Sequence, residues 1–179
     1  DTFIVGLGGT PCPTSLKLKP DTWNPATIVS VTCAGKTALS LAGGKDQGVI
    51  AAQATYDPSD PADAQVPAVQ QFRKDATAAG LTEQQIDGGI TGPGSGFGPL
   101  FGLGIENAET LDRAGVMNAL WSLDTDSFGL VRDGVTVITD GTEDPWAIEG
   151  FRIVQREGDG WKELSPITNW EGKSNSFAG

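Results

Sequence analysis

Histidine is absent from the 179 residues. With it go the commonest general base, the usual zinc ligand and the usual partner of a serine or cysteine nucleophile. Cysteine is scarce: Cys12 and Cys33 are too few for a structural zinc site but enough for one disulfide. Cations are outnumbered, 12 Lys and Arg against 23 Asp and Glu, for a net charge of −11 and a pI near 4.2. The Lys and Arg are also scattered, whereas nucleic acid and anionic membrane surfaces need them clustered, so a polyanion partner is not expected. No apolar run approaches the ~20 residues of a membrane span. The chain opens on Asp1 without a Met or a signal peptide, which reads as a processed, trimmed or partial product.

What remains is enough for one ordinary domain or two small lobes. Apolar residues make up 38% of the chain, and 25 Gly with 11 Pro imply many turns and long connections rather than a helix bundle. Thr2 to Val5 reads as a buried strand, followed by a Gly/Pro-rich loop, G-L-G-G-T-P-C-P-T. Residues 27–32 read as a second strand with a short helix near 35–42, and 48–55 as a third strand. Pro67 suits the first turn of a helix with Val69, Phe72 and Ala76 on one face and Gly80 as its stop. Thr82-Glu83-Gln84-Gln85 matches a capping box. Residues 88–98 read as a mobile connector and 99–107 as helical. Thr110 is expected to cap a helix over 111–121, with Leu111, Val116, Leu120 and Trp121 facing inward. A strand at 135–138 precedes a carboxyl-terminal hairpin, F-R-I-V-Q-R, E-G-D-G, W-K-E-L. Strand–helix alternation followed by an antiparallel hairpin defines an α/β protein with a mixed sheet.

Five features bear on chemistry. I-V-S-V-T-C-A-G-K-T (28–37) has the outline of a phosphate loop, but Ser30 stands where the first glycine is required. A small anion at this helix start, through free N–H groups, is a second reading, and a plain helix start a third. Asp124-Thr125-Asp126 opens like a calcium loop, yet Phe128 and Val135 occupy ligand positions five and twelve, so it reads as a turn. Asp57, Asp60 and Asp63 read as a solvated acidic loop. G-P-G-S-G-F-G (92–98) lacks the spacing of a dinucleotide fingerprint. Cys12 and Cys33 each follow a strand; if those strands are parallel neighbours the sulfurs meet, and a disulfide in an exported protein is favoured over free thiols.

The segments G-G-T-P-C-P-T (8–14), I-V-S-V-T-C-A-G-K (28–36), G-V-I-A-A-Q-A-T-Y-D-P-S-D-P (48–61), L-D-R-A-G-V-M-N-A-L-W-S-L-D-T-D (111–126) and V-R-D-G-V-T-V-I-T-D-G-T-E-D-P-W-A-I-E-G-F-R-I-V-Q (131–155) resemble actinobacterial solute-binding proteins of branched-chain amino acid ABC transporters. The resemblance implies a type I periplasmic-binding fold: carboxyl-terminal portions of two Rossmann-like lobes joined by three crossovers. It places 1–54 and 152–179 in the second lobe and 55–151 in the first, whose earlier part would precede Asp1. It implies a small amino-acid-like or carboxylate ligand between the lobes, contacted by Gly9, Thr10, Pro11, Thr32, Cys33 and Ala34. It further implies an ABC permease and the amino-terminal half of the same protein as partners. Metal, cofactor and catalytic residues are not expected. The location would be extracellular, periplasmic or lipoprotein-anchored at the cell surface. The family's acidic contact for an α-amino group is not evident at Thr32, Cys33 and Ala34, which argues against a plain leucine-type ligand. A ligand-sensing or structural module on the same fold, or an α/β hydrolase using acidic residues, are the alternatives.

Overall fold

The computed structural model describes residues 1–173 apart from Ser127 and Thr142. Residues 174–179, assigned above to the second lobe, and Ser127 of the 124–129 turn lie outside the described residues. Three four-residue segments, the first two rich in β-branched residues, form the parallel half of a sheet: β1 (Thr2–Val5), β2 (Ala26–Val29) and β3 (Ile50–Gln53). Ile4 stands beside Ile28, and Ile28 beside Ile50. Between them run α1 (Pro11–Leu18) and α2 (Lys36–Ser40).

Because β1, β2 and β3 are laid down in spatial order, right-handed crossovers carry both helices to one face. There Val5, Val29 and Ala51 meet Leu16, Leu39 and Ala42 in a core that continues to Val154 and Trp161. The other face keeps Ile4 71% and Ile28 38% exposed, although parallel sheets are ordinarily covered on both sides. The helix α1 corrects the expected loop over 6–14. Pro11 at its first position has its φ already set and lacks an N–H that no carbonyl could have served.

The sheet is completed antiparallel by β6 (Gly150–Glu157), β7 (Gly160–Glu163) and β8 (Thr168–Asn169), in the order β1-β2-β3-β6-β7 with β8 against the start of β6. Gly158, at φ +58°, takes the first central place of the β6–β7 turn, as a type II′ hairpin requires. Cys12 in α1 and Cys33 beyond β2 are joined, both fully buried. A bridge closing a sequence separation of 21 residues stabilises by about 3 kcal/mol through loop entropy.

The intervening stretch holds α3 (Pro67–Ala78), α4 (Glu83–Ile86), α5 (Thr91–Ser95), α6 (Phe97–Glu106) and α7 (Arg113–Leu120). A two-stranded ribbon of β4 (Asp124–Thr125) and β5 (Val137–Ile138) follows. Leu123, Val131, Val135 and Val137 form a second, smaller core. Thr82 makes the expected capping box with Gln85. The connector 88–98 contains α5, whose Gly92 packs under Leu130 and Pro58.

Asp112, not Thr110, caps α7: its carboxylate accepts from Gly115 N at 2.8 Å. A Cβ on Gly115 would lie 2.1 Å from the Thr110 carbonyl oxygen, so the first turn closes only over glycine. Leu111 and Trp121, expected inside, fall outside α7 at its two ends and are exposed, while Val116 and Leu120 are half-buried.

Candidate ligand-binding cleft

The loops beyond β1, β2 and β3 emerge at one edge of the sheet, where open α/β sheets bind ligands. The first two are tied together: Ser30 Oγ donates to the Leu7 carbonyl at 2.7 Å and lies 3.1 Å from Thr32 Oγ1. A Cβ on Gly8 would stand 3.0 Å from that same Thr32 hydroxyl. Val31, Ala34 and Gly35 from the second loop, Gln53 and Thr55 to Pro58 from the end of β3 and the third loop, and Gly89 and Pro93 from the helical stretch line a cavity of about 30 Å³. That is room for water, well below the ~300 Å³ at which small-molecule pockets begin. As it stands, the space admits water and no larger molecule.

One wall is unusually close. A Cβ on Gly35 would lie 2.6 Å from the Gly88 carbonyl oxygen, and Thr37 Oγ1 donates to the Gln84 carbonyl at 3.3 Å. Glycine at 35 thus lets the sheet edge meet the α4–α5 turn backbone to backbone. The start of α2 faces this packed turn, not a space shaped for phosphates.

Of the residues expected to contact ligand, Ala34 lines the cavity, and Thr32, outside the lining, is exposed beside Gly8. Cys33 is withdrawn into the disulfide, so its side chain cannot contact a ligand. Gly9, Thr10 and Pro11 are exposed at the same sheet edge, outside the lining. Gln53, Tyr56 and Asp57 were missed, although the strand-end rule that selected the loop after β2 applies equally to the loop after β3. The Asp57 carboxylate is committed to structure: Oδ1 accepts from Ser59 N at 2.9 Å and Ser59 Oγ at 2.7 Å, and Oδ2 from Trp161 Nε1 at 3.2 Å.

The acidic loop expected to be solvated is instead packed inward, with Asp60 and Asp63 both buried. Asp63 forms an ion pair with buried Arg132 and accepts from Asp57 N at 2.8 Å. Arg132 also donates to the Thr55 carbonyl at 3.1 Å and lies over the Tyr56 ring, 4.5 Å from its centroid. Asp60 Oδ1 accepts from Ala62 N at 3.0 Å. Burial, aided by the charges of Asp63 and Asp57, pushes the Asp60 carboxyl above the usual range, against the pull of the Ala62 N–H. The pattern of Asp-Pro breaks signalled a turn; the pairing of Asp63 with a residue 69 positions away had no local signal.

No family model matches the sequence, and no curated protein does. Solved structures match in fold. A branched chain amino acid ABC transporter protein from Thermus thermophilus with bound valine aligns at a TM-score of 0.75 and 15% identity, over 100% of this chain and 48% of that one. An ABC transporter substrate binding protein from Aeropyrum pernix gives 0.67 and 15%, over 99% and 47%. A solute binding protein from R. palustris in complex with benzoate gives 0.65 and 12%, over 96% and 45%. The architecture is therefore that of the type I periplasmic-binding fold seen in ABC-transporter solute-binding proteins. The chain spans about half the length of the structures it matches.

Proposed function

We propose that this chain is part of an extracytoplasmic solute-binding component of an ABC importer, holding a small amino-acid-like or carboxylate ligand between two lobes. The observation that carries the reading is the cleft at the carboxyl ends of β1–β3, in a fold shared with solute-binding proteins. Valine and benzoate, bound in two of the similar structures, each join a carboxylate to an apolar body. The apolar Val31 and Ala34 and the amide of Gln53 suit such a molecule. In this reading 1–54 and 152–179 belong to one lobe and 55–151 to the other, joined through the antiparallel contact of Thr55 with Val131 and the entry into β6. The ligand contacts proposed are Ala34, Thr32 and the backbone of Cys33, with Gly9, Thr10 and Pro11 from the neighbouring loop.

The partners proposed are an ABC permease and the amino-terminal remainder of the same polypeptide. Export to the periplasm or cell surface, with lipoprotein anchoring, belongs to the same proposal; no helix among the described residues is long and apolar enough to cross a membrane. The role is non-catalytic, and binding of this kind asks for no histidine and no activated nucleophile.

The test is calorimetry and thermal shift on the intact protein with valine, leucine and benzoate, and ATP for comparison. A saturable response to a carboxylate is expected, and none to ATP. Thr32→Trp adds bulk at this sheet edge and should weaken binding by about tenfold or more, about 1.4 kcal/mol per decade, with unchanged circular dichroism. Undiminished affinity moves the site elsewhere, and silence toward every carboxylate sinks the reading.

A further inference from the structure

A cluster of three carboxylates lies apart from the cleft lining. Asp144, Glu149 and Glu171 each bring a carboxylate oxygen to within 4.8 Å of one from each of the others. Two of the three, Asp144 and Glu149, are only 5% exposed. Backbone holds each in place. Asp144 is bridged to Asp140 through N–H···O bonds of 2.9 and 3.1 Å, and its Oδ1 accepts from Trp146 N at 3.4 Å. Glu149 immediately precedes β6; its carbonyl accepts from Trp170 N at 3.2 Å and its Oε2 from Gly172 N at 3.1 Å. Glu171 follows β8, its N–H bonded to Asn169 Oδ1 at 2.9 Å.

The second observation concerns what these carboxylates lack. Asp144 Oδ2, Glu149 Oε1 and Glu171 Oε2 are each buried without a hydrogen-bond donor among the described residues. Among the described residues no Lys or Arg forms an ion pair with any of the three. Buried carboxylate oxygens without donors cost several kcal/mol, roughly, and like charges at this spacing add to it. They come together from two stretches of chain, the loop between β5 and β6 and the residues after β8.

We propose that Asp144, Glu149 and Glu171 bind a single divalent cation of the calcium type. Calcium takes oxygen ligands at about 2.3–2.6 Å, so oxygens up to about 5 Å apart reach one ion. Magnesium draws its ligands in to about 2.1 Å and demands a regular octahedron. Nitrogen and sulfur donors for zinc are missing, since histidine is absent and both cysteines are bridged. An ion here pins the loop after β5, the entry to β6 and the stretch after β8 to one another. The linear calcium-loop pattern considered at Asp124 could not reveal such a site, because its ligands come from discontinuous segments.

Trp146 and Trp170 are held beside the ligands, which gives a direct readout through indole-sensitised terbium luminescence of the full chain after treatment with chelator. Saturable emission at or below about 1 mM Tb³⁺ is expected, reversed by Ca²⁺ more readily than by Mg²⁺. Saturating Ca²⁺, at about a hundred times its Kd, should raise the melting temperature by about 5 °C. Glu149→Gln and Glu171→Gln should each weaken terbium binding by about tenfold or more, while keeping the far-ultraviolet circular dichroism of the parent without metal. Each removes one charge from a self-repelling cluster, so neither variant depends on the ion to fold. Absence of saturable emission from the parent protein, equal displacement by Mg²⁺, or unchanged affinity in both folded variants would overturn the assignment.

Discussion

Arg132 keeps 5% of its surface in contact with solvent, and its partner Asp63 keeps 4%. The pair sits where the segment leaving β3 and the segment returning toward β5 run antiparallel, with Tyr56 N donating to the Leu130 carbonyl at 2.7 Å and Arg132 N to the Ala54 carbonyl at 3.0 Å. Desolvating both charges offsets most of what their attraction contributes, so the pair adds little net stability over apolar residues of similar volume. Removing one partner is different, because the other stays buried with its charge uncompensated. Arg132→Ala should therefore cost about 3–5 kcal/mol, read as a lower urea midpoint with an unchanged slope. The double variant Arg132→Met with Asp63→Leu should recover most of that loss. A single variant as stable as the parent would show that water reaches Asp63 and that the crossing is held by its backbone bonds.

At the scale of elements, α7 shows what local chemistry fixes and what it leaves open. A helix near 111–121 was legible from its apolar spacing, as were the capping box at Thr82 and the β6–β7 hairpin, since each rests on neighbours in sequence. Its start was not legible, because Thr110 and Asp112 are both good caps. The choice between them follows from the tight approach of Gly115 to Thr110. The same division holds at the cleft: the loop after β2 could be placed from strand order, whereas the inward turn of Asp60 and Asp63 and the gathering of Asp144, Glu149 and Glu171 depend on contacts remote in sequence. The cap carries a pH signature. The Gly115 N–H, with the Thr110 hydroxyl and the Ala114 N–H, holds the Asp112 carboxyl below its ordinary 3.8. A depressed folded-state value contributes stability above pH 3.8 that is lost as pH falls through the folded-state value. Asp112→Ala should thus lower the melting temperature at neutral pH, and the gap from the parent should close as the solution is acidified below that range. A gap independent of pH would assign the cap's effect to geometry instead of charge.

At the scale of the whole molecule, two apolar faces are uncovered among the described residues. On the sheet, Ile4 and Ile28 point away from α1 and α2. On the helical stretch, Phe101, Ile105, Leu111 and Met117 line an open groove between α6 and α7, with Leu111 81% exposed. Every apolar side chain of this size that becomes buried contributes about 1.5–3 kcal/mol, so surfaces like these seek a cover. The chain spans about half the length of the structures that share its fold, and the 179 residues studied alone have only each other to cover these faces. Purified by themselves they are expected to self-associate, with a light-scattering mass above the 18.6 kDa monomer and a melting temperature that rises with concentration. Phe101→Glu with Leu111→Glu should reduce that mass if the groove drives the association, and Ile4→Lys with Ile28→Lys if the sheet does. The net charge of −11 opposes association through long-range repulsion, so the mass should grow with added salt. A compact monomer at all concentrations, melting in one cooperative step without binding an apolar dye, would show that these faces are stable in water as they stand.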